Sequence, residues 1–371
     1  MTRRRPVDPD DSGGLFGHFP ADRAMDRVPP APPSAEARAL GAALPGHLLL
    51  GTSSWAYPGW RGIVFGPRAP AALLARDGLA AYAAAPLFRT VGLDRSFYAT
   101  PSAREYERLA ALVPAGFRFT VKLDQRCTRP DMSADGSTLG STTAHRAAGI
   151  ANPLFLDAAF IADEAIGPAA AGLGGRLGPV VLQFPHLDLS ARGSLGGPLA
   201  FAGRLGTCLR SVRDRLGARF AAPLAVEVRN RELFGSRFVG AYVEALGAAG
   251  AVHVHLQHPT VPPIPAQSAA LAGAGAAAAG AVVVRWMLPS GTTYEAAADA
   301  LEPYDRIQAP DDAVRAEIAS LLRTCSPARP GFVVINNKAE GCAALSVEAL
   351  AREFVGSGQG YDAVPQRSEP G

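Results

Sequence analysis

The chain has 371 residues, 48% of them hydrophobic and 19% charged, which excludes a disordered or fibrous protein and allows one large domain or two ordinary ones. A net charge of +3, part of it in the N-terminal arm, gives little support to a nucleic-acid partner. No apolar stretch reaches the roughly 18 residues of a membrane span.

Residues 1–40 open with TRRRP, have no apolar h-region behind it, and mix Pro, Asp, Arg and Ala without periodicity. They predict a disordered arm rather than a secretory signal. The stretch 357–371 predicts a disordered tail in the same way, leaving 41–356 as a single domain.

Within that domain, short β-branched runs alternate with Ala/Leu-rich segments. The predicted strands are 47–55, 88–94, 117–123, 179–185, 223–230, 251–257, 281–287 and 331–338. Their nearly continuous hydrophobicity is that of strands buried on both faces. Predicted helices cover 71–85, 101–114, parts of 143–172, 198–217, 235–249, 310–324 and 345–355, with Ser102 and Glu105 at capping-box spacing. The sixth connection, 259–280, is degenerate: a proline loop followed by an Ala/Gly run. Strands alternating with helices in this number imply parallel pairing and a single-domain (β/α)8 TIM barrel. The competing doubly wound sheet would carry a glycine-rich phosphate loop after its first strand, and GTSSWAYPGW is no such loop. The polar insertion 124–145 on the catalytic face is either a lid or a floppy insertion.

In a TIM barrel the active site forms at the C-terminal ends of the strands. The polar residues there are Trp55 and Tyr57 after strand one, Asp94 and Tyr98 after strand two, Lys122 on strand three and Gln183 on strand four. Glu227 and Arg229 follow on strand five, Arg285 on strand seven, and Asn336, Asn337 and Lys338 on strand eight. Lys122 and Lys338 are the only lysines against 34 arginines, so a compact, titratable amine is expected to matter where one is kept. Period-two alternation places Glu227 with Arg229, and Asn336 with Lys338, on one face.

The stretches GTSSWAYPGWRGIVF, SFYATPS, FRFTVK, VVLQFP, AVEVRN and INNKAEG, in this order over about 47–355, resemble the YecE-like family, also called domain of unknown function 72. The resemblance implies a TIM barrel and a relation to sugar isomerases. Two positions depart from the family pattern. Gly92 and Asp94 stand where the family has a glutamate and an asparagine, and Arg285-Trp286-Met287-Leu288 stands where it has Arg-Leu-His-Gly.

Four cations (Lys122, Arg229, Arg285, Lys338) facing two acids (Asp94, Glu227) favour a small anionic substrate, a sugar or sugar phosphate. The expected reaction is an acid/base isomerase- or lyase-type step. Glu227 would transfer the proton, Lys122 and Lys338 would stabilise negative charge, and Gln183 and Asn336 would orient the substrate. The charged pairs could equally be internal ion pairs that stiffen the barrel mouth, and the aromatics could cap the core. His253, His255 and His258 lie within six residues but form no tight ligand motif, so no metal or other cofactor is expected. The alternative is a catalytically inactive barrel that binds an anionic ligand or a macromolecular partner. Scattered cysteines (Cys127, Cys208, Cys325, Cys342) without a CxxC pair fit a reducing cytoplasm, and nothing marks an oligomeric state.

Overall fold

The structure, a computed structural model, describes residues 28–67, 69, 71–132, 150–276, 280–289 and 291–356. Eight parallel strands close into a barrel. They are β1 (Leu48–Thr52), β2 (Thr90–Leu93), β3 (Arg118–Lys122), β4 (Leu177–Gln183), β5 (Leu224–Glu227), β6 (Val252–Gln257), β7 (Val282–Trp286) and β8 (Gly331–Ile335). Each pairs with its sequence neighbour, and β1 pairs with β8 to close the ring, Leu48 opposite Gly331 and Thr52 opposite Ile335. The predicted barrel is therefore the observed one. Closure demands a glycine at 51: a Cβ there would sit 1.8 Å from the Thr90 carbonyl oxygen of β2.

The helices are α1 (Ala35–Ala43), α2 (Ala71–Ala83), α3 (Ala103–Ala111), α4 (Gly167–Leu173) behind a π-helical turn Phe160–Ile166, and α5 (Pro198–Leu216). They continue as α6 (Val239–Gly247), α7 (Ile264–Gly273), α8 (Tyr294–Leu301), α9 (Asp312–Leu322) and α10 (Ala343–Gly356). The capping box at α3 forms as expected, with Ser102 accepting from Glu105 N and Glu105 reaching back to Ser102 N. The degenerate sixth connection holds α7, ten residues with Pro265 in its first turn. α8 is an additional helix between β7 and α9 that no periodic signal announced.

Order begins earlier than the expected boundary at residue 40. Ser34 caps α1 through Ala37 N at 2.9 Å, and Arg89 closes its C-terminal end with donations of 2.7 Å each to the Gly41 and Pro45 carbonyls. The rest of the expected arm, the expected tail, and residues 133–149 of the insertion region lie outside the described residues. The flanks of that last gap, Asp131–Met132 and Ile150–Ala151, pair antiparallel.

Alternation within the strands builds two cores. Leu49, Val181, Ala225, Val254, Val283 and Phe332 point into the barrel and plug its lower half. The alternate residues face the helices and join the main core. One layer above the plug, the same inward face carries polar side chains.

Candidate functional site

Two residues beyond the plug on each strand, Val181 gives way to Gln183, Ala225 to Glu227 and Val283 to Arg285, so period two alone aims all three inward. Arg285 is the hub. Its Nη1 donates to Gln183 Oε1 at 2.8 Å and to Glu227 Oε2, and its Nη2 lies 3.3 Å from Asp94 Oδ1. Arg229 Nη2 reaches Glu227 Oε1 at 3.3 Å from the other side. Glu227 is fully buried and Arg285 nearly so. Burial alone would raise the Glu227 carboxyl, but Arg285, Arg229 and Lys122 outweigh it and hold it below the ordinary range. Burial would lower Arg285, and Glu227 and Asp94 reverse that. Both groups stay ionised at neutral pH.

Local structure holds the cluster in place. Asp94–Phe97 is a 3-10 turn after β2, and the Ser96 hydroxyl lies 2.5 Å from the carbonyls of Leu93 and Lys122, tying that turn to β3. After β5, Asn230 exchanges two hydrogen bonds of 2.9 Å with the Leu187 backbone, which fixes the loop carrying Arg229 against the loop after β4. The AVEVRN stretch is thus half site and half support.

Lys122 ends β3 facing the same interior. It is half-buried, and its Nζ sits 3.6 Å from the centroid of the Phe97 ring. The expected alternative, a salt bridge to Glu227 or Asp94, is not made. Burial, with Arg285 and Arg229 beside it, lowers its pKa to about 8 against the opposing pull of Asp94 and Glu227.

His258, one residue past β6 and read in the sequence only as one of three clustered histidines, joins the site through Arg229. Its Nε2 lies 3.1 Å from Arg229 Nη1. A guanidinium only donates, so Nε2 accepts; on the other side of the ring Nδ1 lies 2.9 Å from Thr260 Oγ1 and 3.2 Å from the Thr260 backbone N–H, which donates to it. Burial and Arg229 lower His258 to about 4, which keeps it neutral. Phe97 carries no polar signal in the sequence, and Ser53, one of the polar residues that end strand one, is buried with its hydroxyl lacking a partner among the described residues.

Other nominated residues go elsewhere. Trp55 is buried in the main core, beside α2. Tyr57 packs at 5.0 Å on Trp60 and 6.0 Å on Tyr304, and Tyr98 is exposed at the rim. The β8 ladder stops at Ile335, so the alternation expected to align Asn336 with Lys338 ends there. Asn336 instead caps the turn Asn337–Ala339 through Lys338 N at 2.9 Å. Asn337 turns away from the mouth and accepts from Ala343 N at 2.8 Å, at the start of α10. Lys338 donates to Tyr294 of α8 at 2.9 Å, 4.1 Å above that ring. Glu340, fully buried, accepts from Asp311 N and pairs with Arg315 at 2.6 Å. The NNKAEG stretch therefore clamps α8, α9 and α10 onto the end of β8. His253 faces the helices, bonded to Tyr242 and Gln267, and stacks edge-on with His255. Among the described residues no three His, Cys, Asp or Glu side chains are grouped to hold a metal ion. A separate cavity of about 460 Å³ on α5, lined by Phe155, Leu156, Arg204 and Cys208 among others, includes none of the site residues.

The family model described as a protein of unknown function, DUF72, matches residues 49–369. The chain belongs to the DUF72 family. Two crystal structures of a DUF72 family protein from Enterococcus faecalis V583 align with this DUF72 barrel at TM-scores of 0.51 and 0.50, with 17% and 15% sequence identity. The alignments cover 87% and 83% of this chain and 100% and 97% of the other. A DUF72 family protein from Thermotoga maritima MSB8 aligns at a TM-score of 0.47 and 18% identity, over 84% of this chain and 99% of that one. No curated protein matches the chain. The Enterococcus likeness shows the fold that places this site; the chemistry rests on the side chains of this DUF72 protein.

Proposed function

We propose that this DUF72 protein is an enzyme that binds a small anionic, sugar-like substrate, a sugar acid or sugar phosphate, at the C-terminal mouth of its barrel. It would catalyse an isomerase- or lyase-type step by acid/base chemistry. One observation carries the reading: three cations, Lys122, Arg229 and Arg285, share the mouth with two carboxylates, Asp94 and Glu227. One positive charge is left for a ligand to meet.

The roles differ from those expected of the sequence. Glu227, held ionised between two guanidinium groups, is a poor proton carrier and acts by positioning Arg285 and Arg229. Lys122 is the group that titrates near neutrality and is assigned the proton transfer. Arg229, whose Nε is buried with no partner among the described residues, and the Ser53 hydroxyl supply donors for the anion. Asn336 and the exposed Tyr98 border the approach. Lys338 and Asn337 support the rim. Four free cysteines support a reducing, cytoplasmic setting; no described helix is long and apolar enough to cross a membrane.

A thermal-shift screen against phosphorylated sugars and sugar acids, with Lys122→Met and Lys338→Ala beside the parent, tests this. A ligand at a hundred times its Kd adds about 2.7 kcal/mol of stability. The gain should shrink in Lys122→Met and persist in Lys338→Ala. No stabilisation by any anion would reject the site. The second reading, a barrel that binds an anion without turnover, is favoured by Gly92. A Cβ there would lie 3.1 Å from the Ser53 carbonyl oxygen and 3.3 Å from Val334 Cγ1, leaving little room for an acidic side chain. Stabilisation by a sugar phosphate without conversion of it would select that reading.

A further inference from the structure

The charged groups of the mouth are not equivalent. Asp94, Glu227, Arg229 and Arg285 are joined in one network of ion pairs. Lys122 stands inside the same ring, yet among the described residues its Nζ makes no hydrogen bond and no ion pair; the Phe97 face is its nearest partner. A structural lysine buried among carboxylates would have been drawn into a salt bridge. Here both carboxylates are already occupied by guanidinium groups, which leaves the ammonium on the Phe97 face with no hydrogen-bond acceptor among the described residues.

We propose that Lys122 is a nucleophile whose amine condenses with the carbonyl carbon of a small anionic aldehyde or ketone bound at the barrel mouth, forming an iminium. The inference rests on the mouth being the substrate site. It deepens that reading by naming the substrate class, an anionic carbonyl compound, and the bond formed. In the step, the neutral amine attacks the carbonyl carbon and the C–O π bond opens. One amine proton passes to the oxygen to give a carbinolamine. The hydroxyl then leaves as water on taking a proton from solvent, and the nitrogen lone pair completes the C=N⁺ bond. No oxidant or reductant is needed. The iminium keeps the positive charge that the ammonium had, so the surrounding charge balance is unchanged. It then draws electrons from the adjacent carbon, as an isomerase or lyase requires.

Three features agree. Arginine is always protonated and cannot perform this step, and the chain has a lysine here while using arginine at 34 other positions. Burial and the neighbouring guanidinium groups bring the amine down to about 8, so a useful fraction is neutral near physiological pH. Lys122 is half-buried rather than sealed, on the inward face of β3 at its C-terminal end.

The full-length protein would be incubated with glyoxylate, pyruvate or glyceraldehyde 3-phosphate and sodium cyanoborohydride, followed by intact mass and peptide mapping. The chain offers clean internal comparisons in Lys338 and the terminal amine. The expected result is one reduced adduct per chain on the peptide containing Lys122, forming about fivefold faster at pH 8 than at pH 7. The adduct should be lost in Lys122→Arg. Mapping on the parent protein locates the adduct whether or not that variant folds. An anionic carbonyl compound that raises Tm yet leaves Lys122 unlabelled would overturn the covalent step and leave the binding site standing. Labelling confined to Lys338 or the terminus would do the same. No stabilisation by any anion together with no adduct would remove both.

Discussion

The Arg285 guanidinium, at the end of β7, lies against the Glu227 carboxylate, at the end of β5, and the two are the most deeply buried opposite charges in the barrel mouth. Neither would be tolerated alone: a desolvated charge without its partner costs several kcal/mol.

Arg285→Met is therefore expected to destabilise by about 3–5 kcal/mol. Glu227→Gln should cost less, because Arg285 keeps Asp94 and Gln183. The double variant should fall short of the sum by about 1 kcal/mol or more, read from urea denaturation midpoints. Additive losses would mean that the pair is not coupled.

Acid should unfold the protein early. His253, His255 and His258 titrate at about 4, 3 and 4 in the folded state, against 6.5 ordinarily, burial being the main cause in each. The unfolded chain takes up these protons first. The histidine contribution is thus intact above pH 6.5 and is lost as the pH falls toward 4. Glu227, also shifted down, extends the loss below its ordinary 4.5. A urea midpoint that stays level from pH 7 to pH 5 would contradict this.

Lys122 has the same sign in alkali. Its folded value of about 8 lies below the ordinary 10.5, so between them the unfolded chain holds more protons. Stability from this group rises with pH across that window. The difference in urea midpoint between parent and Lys122→Met should accordingly change between pH 8 and pH 10.5 and be constant below it. A constant difference throughout would mean that the amine is not perturbed.

The NNKAEG stretch should behave as structure. Asn337→Ala removes an acceptor from the start of α10 and should cost about 1 kcal/mol. Glu340→Ala leaves Arg315 with only the exposed Asp312 carboxylate and frees the Asp311 N–H, and should cost about 3 kcal/mol. Neither should change the thermal shift produced by an anionic ligand. If either abolished it, the stretch would belong to the site.

Much of this molecule was legible in one dimension. Strand alternation does not depend on partners: once 181, 225 and 283 are inward, 183, 227 and 285 must be as well. In the sequence that rule paired Glu227 with Arg229, position at the strand ends nominated Gln183 and Arg285, and the chain order of the runs located the barrel. The rule stops where the ladder stops. Past Ile335 the backbone turns, and the directions of Asn337 and Lys338 are set by Ala343 and by Tyr294, the latter 44 residues earlier in the chain. Lys122 and Lys338 look alike in sequence, each ending an apolar run. Only the tertiary structure separated them, because one amine meets a tyrosine hydroxyl and the other meets carboxylates already taken by arginine. The local chain determined which face each strand residue occupies; which charges found partners was decided by residues brought together from across the fold.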